Sequence, residues 1–124
     1  MGKNPIILIV DDDVVSIEVA SQAVLLRFTN ATIHTARSGQ ECMSVLQSVM
    51  PDVVLMDLKL PFMDGWEALQ NMRSDQRLST IPVVAVTGYH SASVANDVLL
   101  AGFNAFVPKP IDLDLLNQTL ASII

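Results

Sequence analysis

The chain has 124 residues, 51% hydrophobic and 16% charged, with a formal net charge of −6. That length suits one domain built around one substantial core, and the composition excludes intrinsic disorder. The seven basic residues are scattered without forming a stripe, so no nucleic-acid surface is expected, and the apolar runs are far too short to span a bilayer.

The start, Met1 to Pro5, leads into one short apolar run and three aspartates, which lacks the length and cleavage site of a signal peptide. Gly2 does not open a myristoylation motif, because Ile6 stands where Ser or Thr is needed. A cytosolic setting is the expectation. Cys42 is the single cysteine, so no internal disulfide can form, and its helical spacing with Leu46 and Val49 marks it as a small buried hydrophobe.

Ile6–Val10 is a continuous β-branched run and reads as a strand covered on both faces. A helix is predicted from about Val14 to Phe28, with Ile17, Ala20, Val24 and Phe28 on one face. Thr32–Ala36 alternates polar and apolar residues, as an edge strand does, which would turn His34 toward solvent. Ser38-Gly39-Gln40-Glu41 is a capping box that starts a second helix. Val53–Met56 is the third strand, and Asp64 with Glu67 marks the start of a third helix, where Trp66 packs. Val83–Val86 is the fourth strand. A fourth helix follows from about Ser91 to Ala101, ended by Gly102. Ala105–Val107 is the fifth strand. A fifth helix runs from about Asp112 to the end, with Leu115, Leu116, Leu120 and Ile123 in phase. This (βα)5 alternation predicts an α/β fold with one doubly wound five-stranded parallel sheet, spanning 1–124 as one domain with no output domain. In such sheets ligands bind at the carboxyl ends of the strands.

Those ends carry a pattern. Asp11, Asp12 and Asp13 follow the first strand, Asp57 the third, Thr87 the fourth, and Lys109 the fifth. Taken singly, each has an ordinary explanation: Asp12 or Asp13 as a helix cap, the others as strand-end or solvated residues. Together they gather carboxylates, a hydroxyl and an ammonium at one rim. Crowded carboxylates repel unless a cation intervenes, and a hard divalent ion such as Mg2+ suits oxygen ligands. Lys and Thr can meet phosphoryl oxygens, so the set suggests phosphoryl transfer to an aspartate. His34 and the loop residue His90 read as solvated, and most of the methionines read as core filler.

Five stretches then carry a resemblance across nearly the whole chain: Ile7-Leu8-Ile9-Val10-Asp11-Asp12-Asp13, Asp52-Val53-Val54-Leu55-Met56-Asp57, Leu60-Pro61-Phe62-Met63-Asp64-Gly65, Ile81-Pro82-Val83-Val84-Ala85-Val86-Thr87 and Phe106-Val107-Pro108-Lys109-Pro110. In order and spacing the sequence resembles the receiver domains of two-component response regulators, which share the flavodoxin-like fold. The resemblance implies that Asp57 is the phosphoacceptor, with Asp11 and Asp12 as an acidic pair. It implies Asp12, Asp57 and the backbone carbonyl of Lys59 as ligands of Mg2+ or Mn2+. Thr87 would bind the phosphoryl group, Lys109 would pair with it or with Asp57, and Phe106 takes the aromatic switch position. Asp13 is extra and expected to cap the first helix. The partners implied are a histidine kinase or phosphotransfer protein as donor and a downstream protein that reads the face of the fourth helix, fifth strand and fifth helix. Lys109–Pro110 is expected to be cis, turning the chain sharply after the lysine. Lys59 and Tyr89, each two positions beyond a site residue, overlook the path of the hydrolytic water; neither suits orienting it, so slow self-dephosphorylation is expected.

Two rivals share parts of the pattern. Asp11-Asp12-Asp13-Val14-Val15 satisfies the nucleophile motif of haloacid dehalogenase-type phosphatases, with Asp11 as nucleophile and Asp13 as acid–base. That reading leaves Asp57 unexplained and lacks a late paired acidic motif. A flavin-binding module would need a Ser/Thr/Gly-rich phosphate loop where the three aspartates stand.

Overall fold

The computed structural model describes residues 4–88 and 93–124. Five strands, β1 (Ile6–Val10), β2 (Thr32–Ala36), β3 (Val53–Met56), β4 (Val83–Thr87) and β5 (Ala105–Pro108), alternate with α1 (Val14–Arg27), α2 (Gly39–Val45), α3 (Gly65–Ser74), α4 (Val94–Ala101) and α5 (Leu113–Ile123). The strands form one parallel sheet in the order β2-β1-β3-β4-β5, so the doubly wound fold expected from the alternation is the fold observed. β2 lies at an edge, as its alternation predicts.

The sheet separates two cores, because successive side chains on a strand point to opposite faces. Leu8, Val10, Val54, Met56, Val83 and Ala85 meet residues of α2, α3 and α4, among them Cys42, Leu69, Met72 and Val98. Ile7, Ile9, Val53, Leu55, Val84, Val86 and Val107 meet Ala20, Val24, Leu116 and Leu120 of α1 and α5. Burial pushes the Cys42 thiol up to about 12, in keeping with its reading as a core residue.

The helix starts follow the sequence signals. Asp13 caps α1, accepting from the Val15 N–H at 3.0 Å and the Ser16 hydroxyl at 3.2 Å. Ser38 caps α2 by accepting from the Glu41 N–H at 3.0 Å, while Glu41 accepts from the Arg37 N–H, one residue before the cap. Asp64 caps α3 and Asp112 caps α5. Gly102 ends α4 at φ 110, a conformation that glycine adopts without a Cβ penalty.

Several boundaries and environments differ from expectation. Phe28 stands at the C-cap of α1, not within the helix, yet still packs on the α1/α5 core. β5 and β4 each extend one residue further, to Pro108 and Thr87. Leu115 is exposed; the buried stripe of α5 is carried by Leu116 and Leu120. His34 is half-buried: it lies in register with Leu8, so its ring shares the sheet face covered by α2 and α3. Residues 91 and 92, the expected start of the fourth helix, lie outside the described residues, as do Tyr89 and His90.

Candidate functional site

The parallel ladder continues one residue past the strands and fixes the rim. The Asp11 N–H donates to the Ala36 carbonyl at 3.0 Å, the Asp57 N–H to Val10 at 2.9 Å, and the Lys109 N–H to Thr87 at 2.9 Å. Side-chain alternation then decides where each group points. Asp11 continues the phase of Ile7 and Ile9, Asp57 that of Val53 and Leu55, and Lys109 that of Ala105 and Val107; all of these belong to the α1/α5 core. Thr87 continues the phase of Val83 and Ala85 and enters from the α4 side, where Ala85 is in register with Phe106.

Three of these groups meet. The Lys109 ammonium donates to Asp11 Oδ2 at 2.6 Å and to Asp57 Oδ2 at 2.9 Å. Asp57 Oδ1 accepts from the Lys59 N–H at 3.0 Å, and Asp11 Oδ1 accepts from the Asp13 N–H at 2.9 Å. Asp11, Asp57 and Thr87 are 4%, 7% and 1% exposed, so the site has a nearly dry floor. Asp12 stands exposed above it, and one carboxylate oxygen from each of Asp11, Asp12 and Asp57 lies within 4.8 Å of the others. The peptide bond after Lys109 is cis, as expected.

Burial pushes the Asp11 carboxyl above the ordinary aspartate value, reinforced by the negative charge of Asp57 and only partly offset by the bonds from Lys109 and Asp13. Burial pulls the Lys109 ammonium down, but its bonds to Asp11 and Asp57 outweigh that and leave it raised. The lysine therefore remains charged at neutral pH and stands where a cation is needed.

Among the described residues the donor set fits Mg2+: three carboxylates, of which Asp12 is exposed to solvent. Lys59 is exposed, its backbone fixed by the bond to Asp57. Gly65 closes the loop after Asp57. Its N–H donates to the Leu58 carbonyl at 2.9 Å, and a Cβ there would lie 2.3 Å from the Asp57 carbonyl oxygen.

Sequence reasoning missed Arg37. Its guanidinium donates to the Asp12 carbonyl at 3.2 Å and so bears on the same rim from β2. Arginine-to-carbonyl bonds leave no spacing pattern, and only the fall of Arg37 one residue after β2 could have suggested it.

The family model described as the response regulator receiver domain matches residues 7–121. The chain belongs to the response regulator receiver family. It is 36% identical over 114 residues to regulatory protein AtoC of Escherichia coli strain K12, covering 92% of this chain and 24% of AtoC. It is 34% identical over 91 residues to the polar-differentiation response regulator DivK of Brucella ovis, covering 73% of each chain. The signal receiver domain of the DNA-binding response regulator merR from Colwellia psychrerythraea superposes with a TM-score of 0.88 at 28% identity, over 96% of this receiver and 97% of that chain. These comparisons lend no support to the dehalogenase-type or flavin-binding rivals. The receiver is a signalling module, and among the described residues no helix is long and apolar enough to cross a membrane.

Proposed function

We propose that this receiver, taken as one unit over 1–124, accepts a phosphoryl group on Asp57 from the phosphohistidine of a histidine kinase or phosphotransfer protein, in a cytosolic setting. The observation that carries the reading is the Lys109 ammonium held at once by Asp11 at 2.6 Å and Asp57 at 2.9 Å beside a third carboxylate. In the transfer, an Asp57 carboxylate oxygen forms a bond to phosphorus as the P–N bond breaks, and the electron pair returns to the imidazole. Asp57 Oδ1 is held by the Lys59 N–H, so the carboxylate is oriented before the donor arrives. Lys109 shifts from Asp57 to a phosphoryl oxygen, and the Thr87 hydroxyl donates to another. Asp11, Asp12, Asp57 and the Lys59 carbonyl would hold Mg2+, which supplies charge neutralisation for the phosphoryl oxygens.

Apolar surface beside the rim supports a protein donor. A groove of about 400 Å³ is lined by Val15, Val19, Pro110 and Ile111 next to Lys109, and Val15 is 68% exposed. On the output side, Thr87 and Phe106 share the sheet face under α4, and Phe106 is half-buried against that core. Phosphorylation draws Thr87 toward the phosphoryl group and biases Phe106 inward, which alters the α4-β5-α5 face for a downstream protein. Incubation with acetyl phosphate tests the chemistry. Phosphate uptake, read by intact mass, is expected with Mg2+ or Mn2+ and lost in EDTA; cation-independent uptake overturns the metal-assisted reading.

A further inference from the structure

The loop between Asp57 and α3 contains a residue that the receiver chemistry does not use. Phe62 is 93% exposed and has φ 64, the single described residue other than glycine with positive φ. The Met63 N–H donates to the Pro61 carbonyl at 2.7 Å, so Phe62 is the centre of a three-residue γ-turn. For a bulky side chain this conformation is strained, and exposing the ring keeps apolar surface in water. Both features act against stability at the same residue. Glycine or asparagine would suit the turn better.

The turn is held on either side. Met63 packs against the start of α2: a Cβ on Gly39 would lie 2.5 Å from its carbonyl oxygen and 2.9 Å from its Cβ. The Met63 sulfur also accepts from Asn71 Nδ2 at 3.5 Å. Downstream, the Gly65 N–H to Leu58 carbonyl bond folds the loop back onto the backbone of Asp57. Phe62 is thus an aromatic ring projected into water from a pinned base, which is the form of a pre-organised binding anchor.

Its position identifies the occupant. α1 packs on one face of the sheet and α3 on the other. The exposed Val14, Val15 and Val19 therefore flank Asp57 on one side, and the loop bearing Phe62 flanks it on the other. A protein that delivers a phosphoryl group to Asp57 must cover the ground between them. We infer that Phe62 is a specificity-determining anchor for the protein phosphodonor, inserting into an apolar recess beside the donor's phosphohistidine. This inference rests on the phosphoacceptor reading above. A small donor such as acetyl phosphate does not reach the ring, so the two kinds of donor separate the roles.

The test compares wild type with Phe62→Asn and Phe62→Tyr. Each is loaded with acetyl phosphate and, separately, by the autophosphorylated histidine kinases and phosphotransfer proteins encoded in the source genome, purified as a panel. For Phe62→Asn the expectation is an unchanged acetyl phosphate rate, a melting temperature equal to or above wild type, and about a tenfold or larger loss in kcat/KM with the preferred protein donor. Phe62→Tyr keeps the ring and should retain most of that rate. Equal transfer from the protein donors to Phe62→Asn and wild type overturns the inference. So does a matching loss with acetyl phosphate, which would mean that the substitution disturbs the loop. If no protein donor in the panel loads wild type, the anchor has nothing to hold and the inference falls while acetyl phosphate loading preserves the phosphoacceptor reading. If wild type takes no phosphate on Asp57 from any donor, both fall together.

Discussion

Asp11 and Asp57 lie close enough that Lys109 bonds to both, and burial raises the Asp11 carboxyl above its ordinary value. Because folding raises the Asp11 pKa, its protonated form favours the native state. That contribution is full below the unfolded value of 3.8 and is lost as pH rises through the folded pKa, so at neutral pH the ionised Asp11 opposes folding. Asp11→Asn should therefore raise the melting temperature at pH 7 in EDTA while weakening Mg2+ binding. The margin over wild type should shrink as pH falls through the folded-state pKa of Asp11; a lower melting temperature at pH 7 would show that the bond to Lys109 outweighs burial. Lys59 and Tyr89 carry a kinetic expectation at the same scale. A lysine has donors but no acceptor with which to hold a hydrolytic water, and the Lys59 side chain is exposed two positions beyond Asp57; Tyr89 lies outside the described residues and carries this expectation from its place in the sequence alone. The double variant Lys59→Asn with Tyr89→Glu should lose phosphate faster than wild type after donor removal. An unchanged or slower decay would mean that these side chains do not gate the water.

The elements were legible wherever hydrophobic period and turn chemistry agreed. β1, β2 and β3 have the expected limits, and the caps at Asp13, Ser38, Asp64 and Asp112 start their helices. Long-range polar staples were not legible, because they join side chains to carbonyls far along the chain. Arg73 of α3 donates to the carbonyls of Ser79 at 3.2 Å, Ile81 at 2.8 Å and Gly102 at 3.0 Å, and to Asn104 Oδ1 at 3.1 Å. It ties the end of α4 to the beginning of β4. Arg73→Met should destabilise the fold by about 3 kcal/mol in chemical denaturation, since several part-buried acceptors lose a charged donor at once. A change under about 0.5 kcal/mol would mean that water replaces the guanidinium without loss. With its far end fixed, α4 can respond at its near end. Adding beryllofluoride and Mg2+ should shift backbone amide resonances beyond the acidic rim, across residues 93–106. Shifts confined to the neighbourhood of Asp11 and Asp57 would contradict coupling through Thr87 and Phe106.

At the scale of the molecule, the parallel sheet explains why residues distant in sequence were readable as one site. Strands of a doubly wound sheet all end at the same rim, so Asp11, Asp57, Thr87 and Lys109 could be grouped from topology alone. Topology did not give the bond lengths from Lys109 to two carboxylates, nor the positive φ at Phe62, which depend on side-chain packing and on the pinned loop. In the proposed function Asp57, and not Asp11, takes the phosphoryl group. Intact-mass measurement after acetyl phosphate and Mg2+ treatment tests it most directly, on wild type, Asp57→Asn and Asp11→Asn side by side. One phosphoryl group is expected on wild type, none on Asp57→Asn, and slowed but detectable uptake on Asp11→Asn. Full uptake by Asp57→Asn together with none by Asp11→Asn would contradict the proposed function and place the nucleophile at the end of β1.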